Sequence, residues 1–219
     1  MTTPASPPGA RAAAQPPRIV VLGIGNVLWA DEGFGVRCVE ALQQRWEFAP
    51  QVELVDGGTQ GLYLIDVVAR ADHLLIFDAI DYGLPPGRIE LIEDEAVPRY
   101  LGARKMSLHQ TGFQDVLCLA QLAGHYPERV LLVGCQPEEL DDYGGSLRPS
   151  VRTALEDALA LAVARLRDWG GAPRARLQPC ADDARVNAAT LALEHYEGQR
   201  PDETQACRWG DERFLALRA

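Results

Sequence analysis

The sequence predicts an α/β protein of three layers, in which a doubly wound, mostly parallel sheet of about five strands is flanked by helices in a single domain. Short apolar runs rich in β-branched residues alternate with stretches whose apolar residues recur at helical spacing. Runs of this kind between turn residues are typical of strands buried on both faces. The chain has 219 residues, enough for one such domain of about 150 residues with tails.

The first strand, turn and helix organise the chain. Residues 19–22 are a short apolar run that ends in Gly23-Ile24-Gly25-Asn26, so we predict a buried strand and a turn that Asn26 shapes. Asp31 is a suitable N-cap for the helix that follows, because its carboxylate accepts backbone hydrogen bonds and complements the helix dipole. The apolar face of that helix is predicted to contain Phe34, Cys38, Ala41 and Leu42.

The glycine turn has two interpretations. Gly23 and Gly25 after a strand fit part of a dinucleotide-binding fingerprint, but its third glycine would fall at Leu28. Asp31 and Glu32 also place negative charge where a pyrophosphate needs bare N–H groups. Carboxylates at this position suit a cation, or serve only as residues that cap the helix.

Three further strands and a helix are predicted in the middle of the chain. Residues 51–56 form a strand closed by two glycines, and residues 74–77 form a third buried strand that ends at Asp78. Residues 88–93 alternate in polarity, which predicts an exposed edge strand antiparallel to the others. Between the second and third strands, Thr59 is expected to cap a helix whose buried face holds Leu62, Ile65, Val68 and Ala69.

The remaining strand and two helices complete the predicted domain. After a loop through Pro98 and Gly102, a helix is expected to begin at Ser107, and residues 129–134 form the last core strand. A long helix runs from about Pro149 and is stopped by two glycines at 170 and 171. The predicted apolar faces are Phe113, Val116, Leu117, Ala120 and Ala123 in the first helix and Val151, Leu155, Ala158, Ala162, Leu166 and Trp169 in the second.

Composition divides the chain into three segments. Residues 1–17 are a Pro/Ala-rich leader without the apolar core of a secretory signal, and we expect it to be disordered. Residues 18–171 form the α/β domain. Residues 172–219 are a polar tail with one predicted helix around 188–196, and the sequence does not decide whether the tail wraps the domain, contacts a partner or moves freely.

Charge and cysteine usage exclude several classes of protein. The net charge of −10 argues against a nucleic-acid partner. No run approaches the roughly 20 apolar residues of a membrane-spanning helix. The five cysteines are odd in number and form no Cys-x-x-Cys pair, which argues against a disulfide framework or zinc knuckle and indicates a reducing cytoplasm.

Four polar residues fall where an open parallel sheet binds its ligands, at strand ends or helix starts. Glu32, Asp78 and His109 offer two carboxylates and an imidazole, a donor set that suits a divalent first-row metal such as nickel or zinc. Each also has an ordinary role as a solvated, loop-holding or capping residue. Asp56 either holds the glycine turn after its strand or supports catalysis.

The common protease motifs are absent from the sequence. It contains neither His-Glu-x-x-His nor Gly-x-Ser-x-Gly. Ser107 lies near His109 but more simply caps a helix, and Cys135 at the end of the last core strand is better explained as a small buried hydrophobe than as a thiolate nucleophile.

Four motifs together resemble the hydrogenase maturation endopeptidases. They are Gly23-Ile-Gly-Asn-Val-Leu28 with Asp31-Glu-Gly-Phe-Gly35, Asp56-Gly-Gly-Thr59, Phe77-Asp-Ala-Ile80 and Ser107-Leu-His-Gln110, and the resemblance covers roughly residues 18–170. In the length of its tail, the chain most resembles the branch of the family that serves membrane-bound uptake hydrogenases.

This resemblance implies a monomeric cytoplasmic endopeptidase that removes the C-terminal extension of a nickel-loaded large-subunit precursor of a nickel-iron hydrogenase. Glu32, Asp78 and His109 match the metal-contacting residues of the family and would engage the nickel of the precursor, although other divalent ions could occupy the site. A carboxylate general base is the competing chemistry. A non-catalytic, metal-sensing chaperone of the same precursor and a nucleotide-binding α/β protein are the alternative functions.

Overall fold

A five-stranded sheet forms the centre of the protein. The computed structural model describes residues 15–101, 108–178, 180–181 and 185–199, and for residues 99–101 and 108–111 it describes the backbone alone. Four strands are parallel, and the fifth lies antiparallel at one edge, so the order across the sheet is β3-β1-β4-β6-β5. These strands are β1 (Ile19–Ile24), β3 (Val52–Gly58), β4 (His73–Ala79), β5 (Ile89–Glu93) and β6 (Arg129–Cys135). The predicted fold class and antiparallel edge strand are confirmed.

Helices cover both faces of the sheet. On one face lie α1 (Phe34–Arg45) and α5 (Pro149–Asp168). On the other lie α2 (Ile65–Ala69), α3 (Ala96–Leu101) and α4 (Leu108–Leu122). Every residue of β1 and β4 is buried, as expected for central strands of a sheet covered twice. The long helix from Pro149 and its predicted apolar face are confirmed.

The start of α1 lies directly on the sheet because two glycines remove the side chains between them. A Cβ atom at Gly35 would lie 2.2 Å from the Phe77 carbonyl oxygen of β4. A Cβ atom at Gly23 would lie 2.4 Å from the Gly35 carbonyl oxygen. Such distances are far inside van der Waals contact. The close approach fixes the residues just before α1 over the end of the sheet.

Three local predictions were wrong. Thr59 is exposed and caps no helix, because a 3₁₀ turn at Gly61–Leu64 intervenes before α2. That turn directs Leu62 outward, where it is 55% exposed, while Leu64 is buried in its place. Ala123 follows the end of α4 and is exposed.

The region around Pro98 also differs from the predicted loop. Pro98 is the third residue of the short helix α3, a position in the first turn where proline is tolerated because its missing N–H has no intrahelical acceptor. Gly102 and Ser107 lie outside the described residues, so the predicted cap of α4 stays a prediction. The other predicted buried residues of α4, Phe113, Val116, Leu117 and Ala120, are confirmed.

The described part of the tail packs against the domain. A two-residue strand, β2 (Trp46–Glu47), pairs antiparallel with β7 (Arg174–Ala175). A 3₁₀ turn at Ala189–Leu191 and the helix α6 (Leu193–Gly198) then occupy the stretch where a helix was predicted. Most of the predicted leader lies outside the described residues. Within the part of the chain that the structure describes, we find no helix of the length and apolarity that a membrane span requires.

Candidate active site

The candidate site lies at the edge of the sheet where the parallel strands end, which we call the carboxyl edge. From β1 the chain passes to β3 on one side and then crosses to β4 on the other. This reversal makes the carboxyl ends of β1 and β4 the switch point of the sheet, the place where open α/β sheets bind their ligands. Glu32 follows β1, and Asp78 lies near the end of β4. Both therefore stand at the switch point.

Asp78 is buried within the sheet. It is 1% exposed and lies opposite Gly134 of β6, one position beyond the last pair that joins β4 to β1. A carboxylate at this depth requires hydrogen-bond donors or a cation close by, because its desolvation is expensive. Its predicted position at the end of the third core strand is confirmed.

Glu32 lies in a 3₁₀ turn, Ala30–Gly33, between β1 and α1. Partial burial raises the pKa of this carboxyl above its usual value, and the negative charge of Asp141 raises it further. Asp141 belongs to the loop of residues 136–148 between β6 and α5, which we call the site loop. The site loop therefore places a second acidic group near Glu32.

Asp56 lies in β3, paired in register with Gly23 of β1. Partial burial raises the pKa of its carboxyl, while a hydrogen bond from the backbone N–H of Gly58 and the charge of Arg37 act in the opposite direction. The contact with Gly58 is the turn-holding role that the sequence predicts for Asp56. Its supporting role in catalysis stays a prediction.

His109 is the second residue of α4. Since α4 leads into β6 and runs antiparallel to it, the backbone of His109 lies towards the carboxyl edge. The start of α4 packs on the 3₁₀ turn after β3, where a Cβ atom at Gly112 would lie 3.5 Å from Gly61 Cα. The side chain of His109 is outside the described residues. Among the side chains that are described, no three His, Cys, Asp or Glu residues form a group that could hold a metal ion, so convergence of Glu32, Asp78 and His109 stays a prediction.

The predicted role of Asp31 as a helix cap is wrong. The helix begins three residues later, and no side chain caps either the 3₁₀ turn or α1. Asp31 is instead completely buried, and it accepts backbone hydrogen bonds from the N–H groups of Glu138, Glu139 and Arg148 at 2.8, 2.9 and 2.7 Å. Its own backbone N–H donates to the Glu139 carbonyl oxygen at 3.1 Å. Asp31 thus fastens both ends of the site loop.

Two further contacts bind the site loop to the turn after β1. The backbone N–H of Gly144 donates to the Leu28 carbonyl oxygen at 2.7 Å, and the rings of Trp29 and Tyr143 meet edge to face at 5.2 Å between centroids. The sequence predicts a loop at residues 141–145, but not these contacts, because the partners are more than 100 residues apart in the chain and no local pattern marks them.

Two smaller predictions near the site are supported. The side-chain oxygen of Asn26 accepts a hydrogen bond from the Leu28 N–H at 3.0 Å, which confirms that Asn26 shapes the turn. Cys135 is completely buried, and burial together with the nearby Asp31 raises the pKa of its thiol to about 12. A thiol with that pKa supplies almost no thiolate at neutral pH, so the hydrophobic role fits better.

The glycines of the first turn have a packing role. Gly25 has a φ of +132°, and a Cβ atom there would lie 1.8 Å from the Glu32 carbonyl oxygen. The turn thus closes on the residues before α1, and protein backbone fills the space beside this glycine. With Gly23 packed on α1 in the same way, the dinucleotide interpretation has no support from the geometry.

Comparison with known proteins identifies the family. The family model described as hydrogenase maturation protease (HycI) matches residues 36–165. The hydrogenase expression/formation protein HoxM of Cupriavidus necator is 65% identical over 197 residues, which cover 90% of this chain and 98% of that protein. The hydrogenase 2 maturation protease of Escherichia coli is 45% identical over 154 residues, 70% of this chain and 93% of that protein.

A solved structure shares the fold. The hydrogenase maturating endopeptidase HybD from Escherichia coli aligns with a TM-score of 0.69 and 42% sequence identity, over 73% of this chain and 98% of that one. The family model's span of residues 36–165 includes β3, β4 and β6. This chain therefore belongs to the hydrogenase maturation protease family and is an endopeptidase.

Proposed function

We propose that this endopeptidase removes the C-terminal extension from the nickel-loaded large-subunit precursor of a nickel-iron hydrogenase of the uptake branch, and so completes its maturation. It would act in the cytoplasm as a monomer. The observation that carries the proposal is the placement of Glu32 and Asp78 at the switch point of a sheet whose sequence belongs to a family of hydrogenase maturation proteases.

In this proposal Glu32, Asp78 and His109 contact the nickel ion that the precursor carries. Carboxylate oxygens and an imidazole nitrogen are suitable donors for a divalent first-row metal. Asp78 is buried in β4, and Glu32 is half-buried in the 3₁₀ turn that contacts this strand. A cation between them would relieve the cost of burying two carboxylates. The same donors would accept other divalent ions.

The bound nickel would orient the scissile peptide bond and act as a Lewis acid towards its carbonyl oxygen or a water molecule. The protein's own groups can also serve as a base. Partial burial and the nearby charge of Asp141 raise the pKa of Glu32 above its usual value, the direction that favours proton abstraction by a carboxylate. Asp56 holds the neighbouring glycine turn and would keep the floor of the site in place.

The alternatives have less support. A metal-sensing chaperone would bind the precursor without cutting it, which does not fit membership of a protease family. A nucleotide-binding protein would need an open glycine cradle, whereas Gly25 packs against the backbone of Glu32.

The test uses purified metal-free protein and large-subunit precursor prepared with and without nickel. Mass spectrometry of the precursor should show loss of the C-terminal extension only when nickel is present. Trimming of nickel-free precursor would overturn the role of the metal. A stable complex without trimming would instead favour the chaperone.

Variants assign the residues. Glu32→Gln, Asp78→Asn and His109→Ala should each abolish processing, because the first two remove the negative charge of a carboxylate ligand and the third removes the imidazole. The matched control is Asp66→Asn, since Asp66 is an exposed acid on α2. Full activity in any of the three site variants would remove that residue from the proposed site. The proposed monomer is checked by sedimentation of the free protein.

A further inference from the structure

The described tail residues 174–178, 180–181 and 185–199, which we call the strap, run along the outside of α1. Near the C-terminal end of α1, the Arg176 backbone N–H donates to the Arg45 carbonyl oxygen at 2.9 Å, and the Arg176 guanidinium donates to the Trp46 carbonyl oxygen at 3.0 Å. Closer to the middle of α1, the Val186 N–H donates to the side-chain oxygen of Gln43 at 2.7 Å. The strap therefore starts where α1 ends.

The strap continues towards the start of α1. The Leu193 N–H donates to Glu40 Oε1 at 3.1 Å, and the guanidinium of Arg37 donates to the Leu191 carbonyl oxygen. Arg37 is 3% exposed, pairs with Glu40 at 2.8 Å and lies 5.5 Å from the centre of the Tyr196 ring. Because these contacts run from Arg45 back to Arg37 of α1, the strap follows the helix for about 12 Å.

The tip of the strap holds the site loop. Glu197 accepts a hydrogen bond from the Ser146 hydroxyl at 2.5 Å and pairs with the guanidinium of Arg152 in the first turns of α5. The site loop follows the carboxyl end of β6, so the strap ends at the carboxyl edge of the sheet. The last described residue, Gln199, is thus on the side of the molecule that carries the candidate active site.

The strap is an addition to a complete domain. Of its described residues only Ala192 is buried, and its contacts are mostly hydrogen bonds and ion pairs. HybD aligns over 98% of its own length with only 73% of this chain, so that fold is complete without an equivalent of the whole tail. The match to HoxM spans 197 residues, more than the 171 residues that precede the tail, and must include part of it. HoxM therefore shares at least part of the tail, whereas HybD has no equivalent of the whole tail.

We infer that the strap and the site loop form one wall of the docking surface for the large-subunit precursor, and that Glu197 joins the two. This inference rests on the proposed function. A tail that only stabilised the domain would not need to reach the carboxyl edge. It would also not need to bind, through Glu197, the loop that places Asp141 near Glu32.

The charge of this wall indicates which precursor surface it receives. The site loop is its acidic part, because four acids outnumber one base there: Glu138, Glu139, Asp141 and Asp142 against Arg148. The charges of the described strap nearly cancel, with Arg174, Arg176 and Arg185 against Glu194 and Glu197. Acidic groups of this kind attract a basic surface and make association sensitive to salt. The precursor should thus present basic groups to the site loop, beside its C-terminal segment.

The experiment measures processing and binding of the nickel-loaded large-subunit precursor from the same organism by the full-length protein and two variants. Glu197→Gln removes the carboxylate with which the strap contacts Ser146 and Arg152, and Arg152→Gln removes the guanidinium of α5 that pairs with Glu197. We call these the junction variants. Each should raise KM and the precursor Kd about five- to tenfold, because a loosened wall must be ordered when the precursor binds, with kcat within about twofold. Both KM and Kd of the wild-type protein should rise with salt.

Glu128→Gln is the control, because Glu128 is exposed just before β6, at the opposite edge of the sheet. It should change neither constant. Unchanged Kd in both junction variants, or a fall in kcat and thermal stability without a change in KM, would overturn the inference. Failure of the wild-type protein to cleave would overturn the proposed function instead, and the Kd values would still decide the role of the strap.

Discussion

Replacing Asp31 by Asn tests the central structural feature of the site, the buried carboxylate that fastens the site loop. Asp31 uses both carboxylate oxygens to accept three backbone hydrogen bonds of 2.7 to 2.9 Å. An asparagine has one acceptor oxygen, so at least one backbone N–H would face the donor group of the amide. The remaining bonds would also lose the strength that a charged acceptor gives them.

The magnitude follows from these counts. One buried donor left without an acceptor costs about 1–3 kcal/mol, and exchanging charged for neutral hydrogen bonds costs about 0.5–1 kcal/mol for each of the others. The neutral amide is cheaper to bury than a carboxylate, which offsets part of the loss. We expect Asp31→Asn to lower the free energy of unfolding by about 2–4 kcal/mol and the Tm by about 4–16 °C.

The assay is thermal and urea unfolding of the wild-type protein, Asp31→Asn and the control Asp66→Asn, followed by circular dichroism. Asp66 is exposed, so its variant should stay within about 0.5 kcal/mol of the wild-type protein. Processing of the precursor should also fall in Asp31→Asn, since the loop beside Glu32 loses its anchor. Equal stability of Asp31→Asn and the wild-type protein would refute the reasoning.

Three further predictions concern packing, thiol chemistry and pH. Gly35→Ala should cost at least about 1–3 kcal/mol in urea unfolding, because the new methyl group would meet backbone oxygens at 2.2 and 2.3 Å that cannot turn away; stability equal to wild type would contradict the packing of α1. Iodoacetamide should label the exposed Cys118 and spare Cys38 and Cys135, whose burial raises their thiol pKa values. The labelled residues are identified by mass spectrometry. Labelling of Cys135 together with loss of activity would instead support Cys135 as a thiolate nucleophile. Burial raises the pKa of Glu197, but the hydrogen bonds that its carboxylate accepts from Arg152 and Ser146 outweigh this and lower the pKa below the usual 4.5. The contribution of Glu197 to stability is therefore present above pH 4.5 and is lost as the pH falls through the lower pKa of the folded protein. The unfolding free energies of the wild-type protein and Glu197→Gln should thus converge in acid.

The fold was predictable because the central strands are buried on both faces. Continuous apolar residues fill the middle of β1 and β4 for that reason, whereas β5 mixes polar with apolar residues and Ile92 is its one buried residue. Those two patterns are enough to assign a parallel sheet with an antiparallel edge. The order of the strands does not follow from such patterns, because it depends on which strands the crossing helices bring together.

Predictions failed where a local pattern permitted two geometries. Leu62 and Leu64 are equally apolar, and only the 3₁₀ turn decides that Leu64 is buried and Leu62 exposed. The contacts of the tail were also beyond sequence reasoning, since Glu197 and Ser146 have no local signature and meet across 51 residues.

Asp31 and Glu32 show most directly what sequence alone does not decide. The two residues are neighbours with the same charge and were both candidates for a helix cap or a cation site. In the 3₁₀ turn Asp31 is completely buried against the site loop, whereas Glu32 stays half-buried on the side that Asp141 approaches. Consecutive residues in such a turn point about 120° apart, so one acid becomes a structural anchor and leaves the next available to the site. The anchor holds the loop, the loop holds Asp141 near Glu32, and the strap holds the loop from the other side through Glu197. A change in the Asp31 anchor should therefore be felt at Glu32, whereas a change at Glu197 should act on docking of the precursor. Neither anchor would touch the substrate's scissile bond.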